Sequence, residues 1–387
     1  MKRGLTGRYE VIRVGGEEVR AFIPDPLPPD PPLELNTFRQ RLLERATLAL
    51  GRLDSITLLL PDPDIFLYSY VRREALLSSQ IEGTQSSLSD LLLFELEEAP
   101  GVPFEDVVEV SNYVAALQHG LQRLQDGFPL SNRLIREMHA ILLSRGRGSE
   151  KLPGEFRRSQ NWVGGTRPGN AHFVPPPPGA VDDCMAALER FLHDETLPYP
   201  SLIRAALAHV QFETIHPFLD GNGRIGRLLI AFILHQEGIL QKPLLYLSLY
   251  FKQHRSEYYR LLDLVRSEGD WEAWVDFFLE GVVNTAQNAV QTAQRLVALF
   301  KEDTQKIQTV GRIANTALRV FNTSCQRPIL TLNEARRRTG VSFPSVAKGM
   351  EALAKLKIVR EITGRKRDRV FAYDRYLEIL TEGTEPL

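Results

Sequence analysis

The sequence predicts a mainly helical fold with a small β segment near the start and a further, smaller module at the end. Three observations predict it. Apolar residues recur at helical spacing almost without a break from Leu35 to about Phe300. Ahead of that stretch, Arg8 to Val14 alternates polar and apolar, Gly15-Gly16 supplies a turn, and Val19 to Ile23 can return as a second strand. Past about residue 325 the composition shifts: from Arg327 to Leu387 there are 13 Lys/Arg against 8 Asp/Glu, a local charge of +5.

Taken in order, the six prolines between Pro24 and Pro32 forbid helix and stiffen an extended linker. Helices are then expected over 35–50, 64–82, 87–98, 105–124, 131–144, 180–193, 201–215, 224–237, 255–266 and 271–300. Asp64, Ser87 and Ser131 are start signals. The main interruption is 153–178, with Gly164-Gly165, Pro168-Gly169-Asn170 and four prolines from Pro175, which reads as a hairpin-like flap. At the end, a short helix opening at Thr331, a second over Ser345 to Leu356, and a hairpin of Lys357–Ile362 and Arg369–Tyr373 follow the order of a winged helix. The expected domains are 1–100, 101–300 and 315–387.

Bulk composition excludes several classes. With 387 residues, 43% hydrophobic and 25% charged, the chain is ordinary globular protein. A net charge of −1 gives no whole-chain attraction to nucleic acid or membrane. Cys184 and Cys325 have neither paired nor ligand-like spacing, which fits a reducing compartment. No apolar run approaches the roughly 20 residues of a membrane span, and Met1-Lys2-Arg3-Gly4 leads into no signal-peptide core, so a cytoplasmic protein is expected.

The richest segment is Thr214-Ile215-His216-Pro217-Phe218-Leu219-Asp220-Gly221-Asn222-Gly223-Arg224-Ile225-Gly226-Arg227. An apolar helix ends before Pro217, because the residue preceding proline is pushed out of the right-handed helical region. His216 then sits at a helix end, where an imidazole can project into a cleft. A second helix starts near Gly223, and the glycines let its backbone N–H groups converge on an anion. Arg224 and Arg227 share a helix face at i, i+3 and can both meet a polyphosphate. Asp220 can hold Mg²⁺ beside it. Singly, each feature is commonplace: a structural histidine, a loop, a solvated pair of arginines. A base, a carboxylate, an anion cradle and two cations within twelve residues are not.

This segment resembles the Fic/Doc signature His-Pro-Phe-x-(Asp/Glu)-Gly-Asn-Gly-Arg-x-x-Arg at every defined position. The resemblance implies a Fic-type helical core that transfers AMP from ATP to a Ser, Thr or Tyr hydroxyl of a target protein. It implies His216 as the base, Asp220 as the Mg²⁺ ligand, Gly221-Asn222-Gly223 as the anion hole, Arg224 and Arg227 on the β- and γ-phosphates, and Phe218 as an anchor in the core.

A second motif lies upstream. Ser78-Ser79-Gln80-Ile81-Glu82-Gly83 closes the expected helix 64–83, with Gly83 as a natural stop. Glu82 faces the negative end of the helix dipole, a placement an external cation would relieve. Ser78, four residues earlier, is on its face. The pattern resembles the (Ser/Thr)-x-x-x-Glu-(Gly/Asn) inhibitory helix of Fic proteins, in which the Glu pairs with the second motif arginine, here Arg227. The resemblance implies autoinhibition.

Other parts resemble the family more loosely. His172-Phe173-Val174 matches its flap, an edge that docks target backbone by strand addition. Pro153-Gly154-Glu155-Phe156-Arg157 is typical of the stretch before it. Tyr258 and Tyr259 match paired tyrosines that help form the adenine pocket, one of them expected to take that role here, although Arg266 stands where some relatives carry Asn. Relatives also suggest a homodimer. Three alternatives stay open: a DNA-binding regulator acting through the basic winged helix, removal of AMP, and transfer of another nucleotidyl or phosphoryl group. Gly223 keeps the small residue of the AMP-transfer pattern.

Overall fold

The computed structural model describes residues 1–59, 63–96, 104–242, 244–365 and 367–385. The Asp64 side chain, read as a helix start, and Lys366 of the hairpin turn lie outside what is described.

The chain opens with strands β1 (Gly7–Val14) and β2 (Glu17–Pro24), followed by helices α1 (Thr37–Leu59), α2 (Pro63–Ile81), α3 (Leu88–Phe94) and α4 (Phe104–Gln125). Next come α5 (Asn132–Leu142), α6 (Val181–His193), α7 (Ser201–Ile215), α8 (Asn222–Gln236), α9 (Ser248–Gln253), α10 (Arg255–Glu268) and α11 (Trp271–Gln308). The last part runs α12 (Ala314–Gln326), β3 (Ile329–Thr331), α13 (Leu332–Thr339), α14 (Phe343–Lys355), β4 (Arg360–Glu361), β5 (Val370–Ala372) and α15 (Asp374–Thr381). No described helix is long and apolar enough to cross a membrane.

Packing groups these elements into two compact units that cut across linear order: Met1–Gly51 with Val108–Ala286, and Arg52–Val107 with Gln287–Leu387. The linear reading had kept α2 with the N-terminal region; packing places it with the C-terminal elements.

In the first unit, β1 and β2 pair antiparallel, with Val14 opposite Glu17. Gly15 and Gly16 between them have φ of 59° and 87°, which a two-residue hairpin turn demands. The centre is α7 against α8. From Leu202 to Ile215 every residue of α7 except Glu213 is buried, so it is a core helix, apolar nearly all round. A Cβ on Gly226 would come within 2.5 Å of Glu213 Oε1 and 3.2 Å of Phe212 Cδ1, so at this close approach of the two helices any larger residue would have to displace the Glu213 side chain. The indole N–H of Trp274 donates to the carbonyl of Ala206 at 2.9 Å and ties α11 to α7.

In the second unit, β3, β5 and β4 form an antiparallel sheet in the order β3-β5-β4, flanked by α12, α13 and α14. That order is compatible with the expected winged helix. The Thr331 hydroxyl caps α13 by accepting from Glu334 N at 3.1 Å. Ser87 and Asp90 form a capping box on α3.

Candidate active site

The turn between α7 and α8 carries the motif. His216 ends α7 in the left-handed region (φ 49°, ψ 59°), its N–H donating to Phe212 O at 2.9 Å. Proline at 217 excludes continued helix, and a left-handed non-glycine residue is strained. Surrounding contacts hold the strain in place. Arg157, buried, donates through Nε to the His216 carbonyl at 2.9 Å and through Nη2 to Pro176 O at 2.6 Å. Its own backbone N–H donates to Pro217 O at 2.9 Å. Burial pulls its guanidinium down to about 10. Asn161 Nδ2 donates to Phe218 O at 2.7 Å.

Asn222, 2% exposed, spends its side chain inside the turn: Oδ1 accepts from Phe218 N at 2.8 Å and Nδ2 donates to Phe218 O at 2.9 Å. Phe218 is fully buried and stacks on His139 with ring centroids 3.7 Å apart and planes 6° from parallel. His139 Nδ1 accepts from Gly154 N at 2.8 Å, which leaves Nε2 to donate to the Asp220 carbonyl at 3.0 Å. Burial drives this imidazole down to about 4, so it stays neutral.

Gly221, at φ 75°, precedes α8, and no side chain caps that helix. Its first amides and the positive end of its dipole therefore define an anion site. The Asp220 carboxylate, 30% exposed, stands beside it, accepting from Gly221 N at 2.6 Å.

The two arginines differ. Arg224 has no exposed side-chain surface; Nη1 donates to Glu109 at 2.6 Å and Nη2 to Asp220 at 3.2 Å. Glu109 is buried and also pairs with Arg147 at 3.1 Å. As found, Arg224 is turned to carboxylates rather than to open space. Arg227, 5% exposed, lies within hydrogen-bonding reach of the Tyr258 hydroxyl. His209 Nδ1 meets Gly226 O at 2.8 Å, and a carbonyl only accepts, so Nδ1 carries the proton. Nε2 then accepts from the Tyr258 hydroxyl at 2.9 Å.

Tyr258 is thus a core residue, 1% exposed, stacked on Phe251 at 4.7 Å, and not an open face for a purine. Tyr259 is 38% exposed, with Arg255 5.3 Å from its ring centroid. In the flap, Val163 and Phe173 exchange backbone hydrogen bonds at 2.8 and 3.1 Å, and Phe22 N donates to Val174 O at 2.9 Å. Phe173 and Val174 are buried, so part of the expected docking edge is already used within the fold; exposed His172 pairs with Asp263. Ser78 is buried and Glu82 half-buried just past the end of α2, with Gly83 at φ 101°. Sequence reasoning missed Glu109, His139, Asn161 and His209. Glu109, His139 and Asn161 are isolated residues far along the chain from the motif, and His209, seven residues before His216 on α7, sits in an apolar run with nothing beside it to mark a partner.

Burial pushes the His209 imidazole down to about 3. The unfolded chain therefore takes up a proton near pH 6.5 that the folded chain refuses, and stability falls as pH drops. Between pH 6.5 and 5 this group alone costs about 2 kcal/mol at 1.36 kcal/mol per unit. Urea midpoints at pH 7 and 5 should show the loss, and His209→Gln should shrink it.

Known proteins resemble this chain in sequence and in fold. Residues 40–122 match the model of the Fic/DOC family N-terminal region, and residues 129–234 that of the Fic/DOC family. The two matches lie side by side and take in both α2 with Glu82 and the α7–α8 turn. It is 42% identical over 149 residues to protein adenylyltransferase Fic of Drosophila melanogaster, a match covering 38% of this chain and 27% of that protein. For the Drosophila erecta protein of the same name the identity is 40% over 128 residues, covering 33% and 23%. The match thus spans about a quarter of the length of these curated relatives. A Fic family protein from Desulfovibrio desulfuricans G20 superposes with TM-score 0.58 at 21% identity, covering 88% of this chain and 97% of that one. Fic-1 (aa134–508) from C. elegans gives 0.52 at 24%, covering 66% and 73%. At these identities the structures speak for the fold.

Proposed function

We propose that the chain transfers AMP from ATP to a Ser, Thr or Tyr hydroxyl of a target protein, and that Glu82 restrains it by acting on Arg227. The observation that carries this reading is the α7–α8 turn: a strained histidine at one helix end, an uncapped helix start beside it, and a carboxylate between. In-line attack on the α-phosphorus requires a base and charge stabilisation, and little covalent help. His216 would accept the hydroxyl proton, the Gly221–Gly223 amides would meet the phosphates, and Arg227, steadied by Tyr258, would bind their far end. Arg224, held by Glu109, would aim Asp220. Tyr259 is the tyrosine with a face available to adenine.

Asp220 would hold Mg²⁺, which supplies charge neutralisation at the phosphates when bound. Among the described residues no group of three or more His, Cys, Asp or Glu is set to hold a metal.

Incubation with ATP labelled at the α- or the γ-phosphate tests the reaction. Label should enter protein from the α-position alone, and γ-label would point to phosphoryl transfer instead. Glu82→Gly should raise α-labelling by at least tenfold, since about 1 Å of misplacement costs on the order of a hundredfold in rate. Equal labelling of Glu82→Gly and wild type would remove the inhibitory role.

Exposed Arg336, Arg337 and Arg338 on α13, with Arg365 and Arg367 in the hairpin turn, favour a second reading for the C-terminal module, contact with DNA phosphates. A gel shift of the full chain that weakens steeply between 50 and 200 mM salt, on the order of 10³-fold for six or more phosphate contacts, would support it; no shift at low salt would end it.

A further inference from the structure

We propose that the C-terminal segment 374–384 is a latch that holds the Glu82-bearing helix in its restraining position. The inference rests on the reading that Glu82 restrains Arg227, and it extends that reading to what holds Glu82.

Helix α2 is packed by α12 and α15, and it belongs to the same compact unit as the C-terminal module. Three polar side chains on α2 reach that segment. The Ser69 hydroxyl meets the Tyr376 hydroxyl at 2.9 Å, both buried. Arg73 donates to the Glu382 carbonyl at 2.6 Å. Gln80 donates to the Thr384 carbonyl at 2.9 Å and to Ser86 O at 3.2 Å, tying the last turn of α2 both to the tail and to the chain leaving it. Ser69, Arg73 and Gln80 fall on one stripe at the helical spacing of about 100° per residue. Ser78, and Glu82 if the spiral is continued one residue past Ile81, project about 160° from the middle of that stripe. One face of α2 is gripped by the tail and the opposite face carries the motif.

The grip is built from buried groups. Ser69, Arg73, Gln80 and Thr384 are all buried, as is Tyr376, whose ring packs edge-on to Phe300 at 5.2 Å. Taking the tail away would remove the Thr384 carbonyl from the Gln80 amide, which keeps Ser86 O, and the Glu382 carbonyl from the Arg73 guanidinium, and a buried donor that loses an acceptor is costly. Rigid α2 would then give way to a helix held mainly by its own hydrogen bonds. Release of Glu82 therefore depends on the C-terminal module, which gives that module a task of its own.

The test uses the full chain beside a chain ending at Thr381, which removes the Glu382 and Thr384 acceptors and leaves α15 intact. Tyr376→Phe, which deletes only the hydroxyl bonded to Ser69, is the second variant. Each is read by amide hydrogen exchange over 63–81 and by α-phosphate labelling of protein, with Glu82→Gly as the reference. The expected result is faster exchange in α2 and at least a fivefold rise in labelling for the shortened chain. A smaller rise in the same direction is expected for Tyr376→Phe, and no further rise when the shortened chain also carries Glu82→Gly. If Glu82→Gly activates and neither tail variant does, the latch is wrong and the inhibitory reading stands. The latch also fails if α2 exchange is unchanged in both variants. Should Glu82→Gly itself leave labelling unchanged, the reading beneath the latch falls, and the latch with it.

Discussion

His216→Ala should lower AMP transfer by roughly 10²–10⁴-fold, the span a general base contributes, with little change in melting temperature. The two halves of that expectation have separate causes. The rate falls because no other imidazole replaces it: His139 and His209 are both fully buried and both committed on both ring nitrogens. Stability is largely kept because the contact of the His216 ring with Glu213 O, made through Nδ1, is long at 3.4 Å, and other groups hold the turn. Arg157 and Asn161 grip carbonyls of residues 216 to 218, and those bonds survive truncation at Cβ. His216→Gly sharpens the point. At φ 49° a residue with a Cβ pays about 1–2 kcal/mol that glycine does not, partly offset by the unfolded-state entropy of glycine. That variant should melt at or above wild type while being as inactive as His216→Ala. An active His216→Ala, measured on protein that melts like wild type, would remove His216 from the chemistry.

Much of the catalytic half was legible because its signals are local. Pro217 after an apolar run marked the end of α7, and the Asp220–Gly223 run put the next helix start near Gly223, one residue from the observed Asn222. Helix period did the same for α2 to α8, within a few positions at each end, whereas α1 runs to Leu59, nine residues past the expected end at 50. The C-terminal half was harder. α12 carries Thr316, Asn322, Thr323, Ser324 and Cys325, weak helix formers whose helix is decided by packing. Strands β3 to β5 are two or three residues long, too short for a period of two to register, and β3 and α15 went unread. The placement of α2 was invisible for a different reason. Ser69, Arg73 and Gln80 look like an ordinary polar stripe, and their partners lie more than 300 residues away in sequence. Tyr258 shows the converse limit. A motif-like pair of tyrosines suggests an aromatic pocket, but one of the two is enclosed by His209, Phe251 and Trp274 and serves the core.

Glu109→Ala should cost about 3–5 kcal/mol of stability, the penalty for removing one partner of a buried ion pair. Arg224 has no exposed side-chain surface, and Glu109, 2.6 Å away, is the closer of its two carboxylates. With Glu109 gone, the buried guanidinium loses the carboxylate at 2.6 Å and keeps the contact with Asp220, at 3.2 Å and partly open to solvent. Arg147, half exposed, loses its pairing with little consequence, since surface pairs are worth roughly 0–1 kcal/mol. Two further variants separate stability from chemistry. Glu109→Gln retains volume and an acceptor and should lose less than the alanine variant. Glu109→Leu combined with Arg224→Met replaces both charges with apolar groups of similar size and should recover most of the stability. Activity should not return with it, because Asp220 would have lost the cation that aims it. Urea unfolding of Glu109→Leu alone, Arg224→Met alone and the pair closes a double-mutant cycle, with a coupling of several kcal/mol expected if the charges depend on each other. A Glu109→Ala chain within 1 kcal/mol of wild type would mean that water reaches Arg224. The pair would then be a peripheral contact, and Asp220 would have to be positioned by the His139 bond to its carbonyl and by its own bond to Gly221 N.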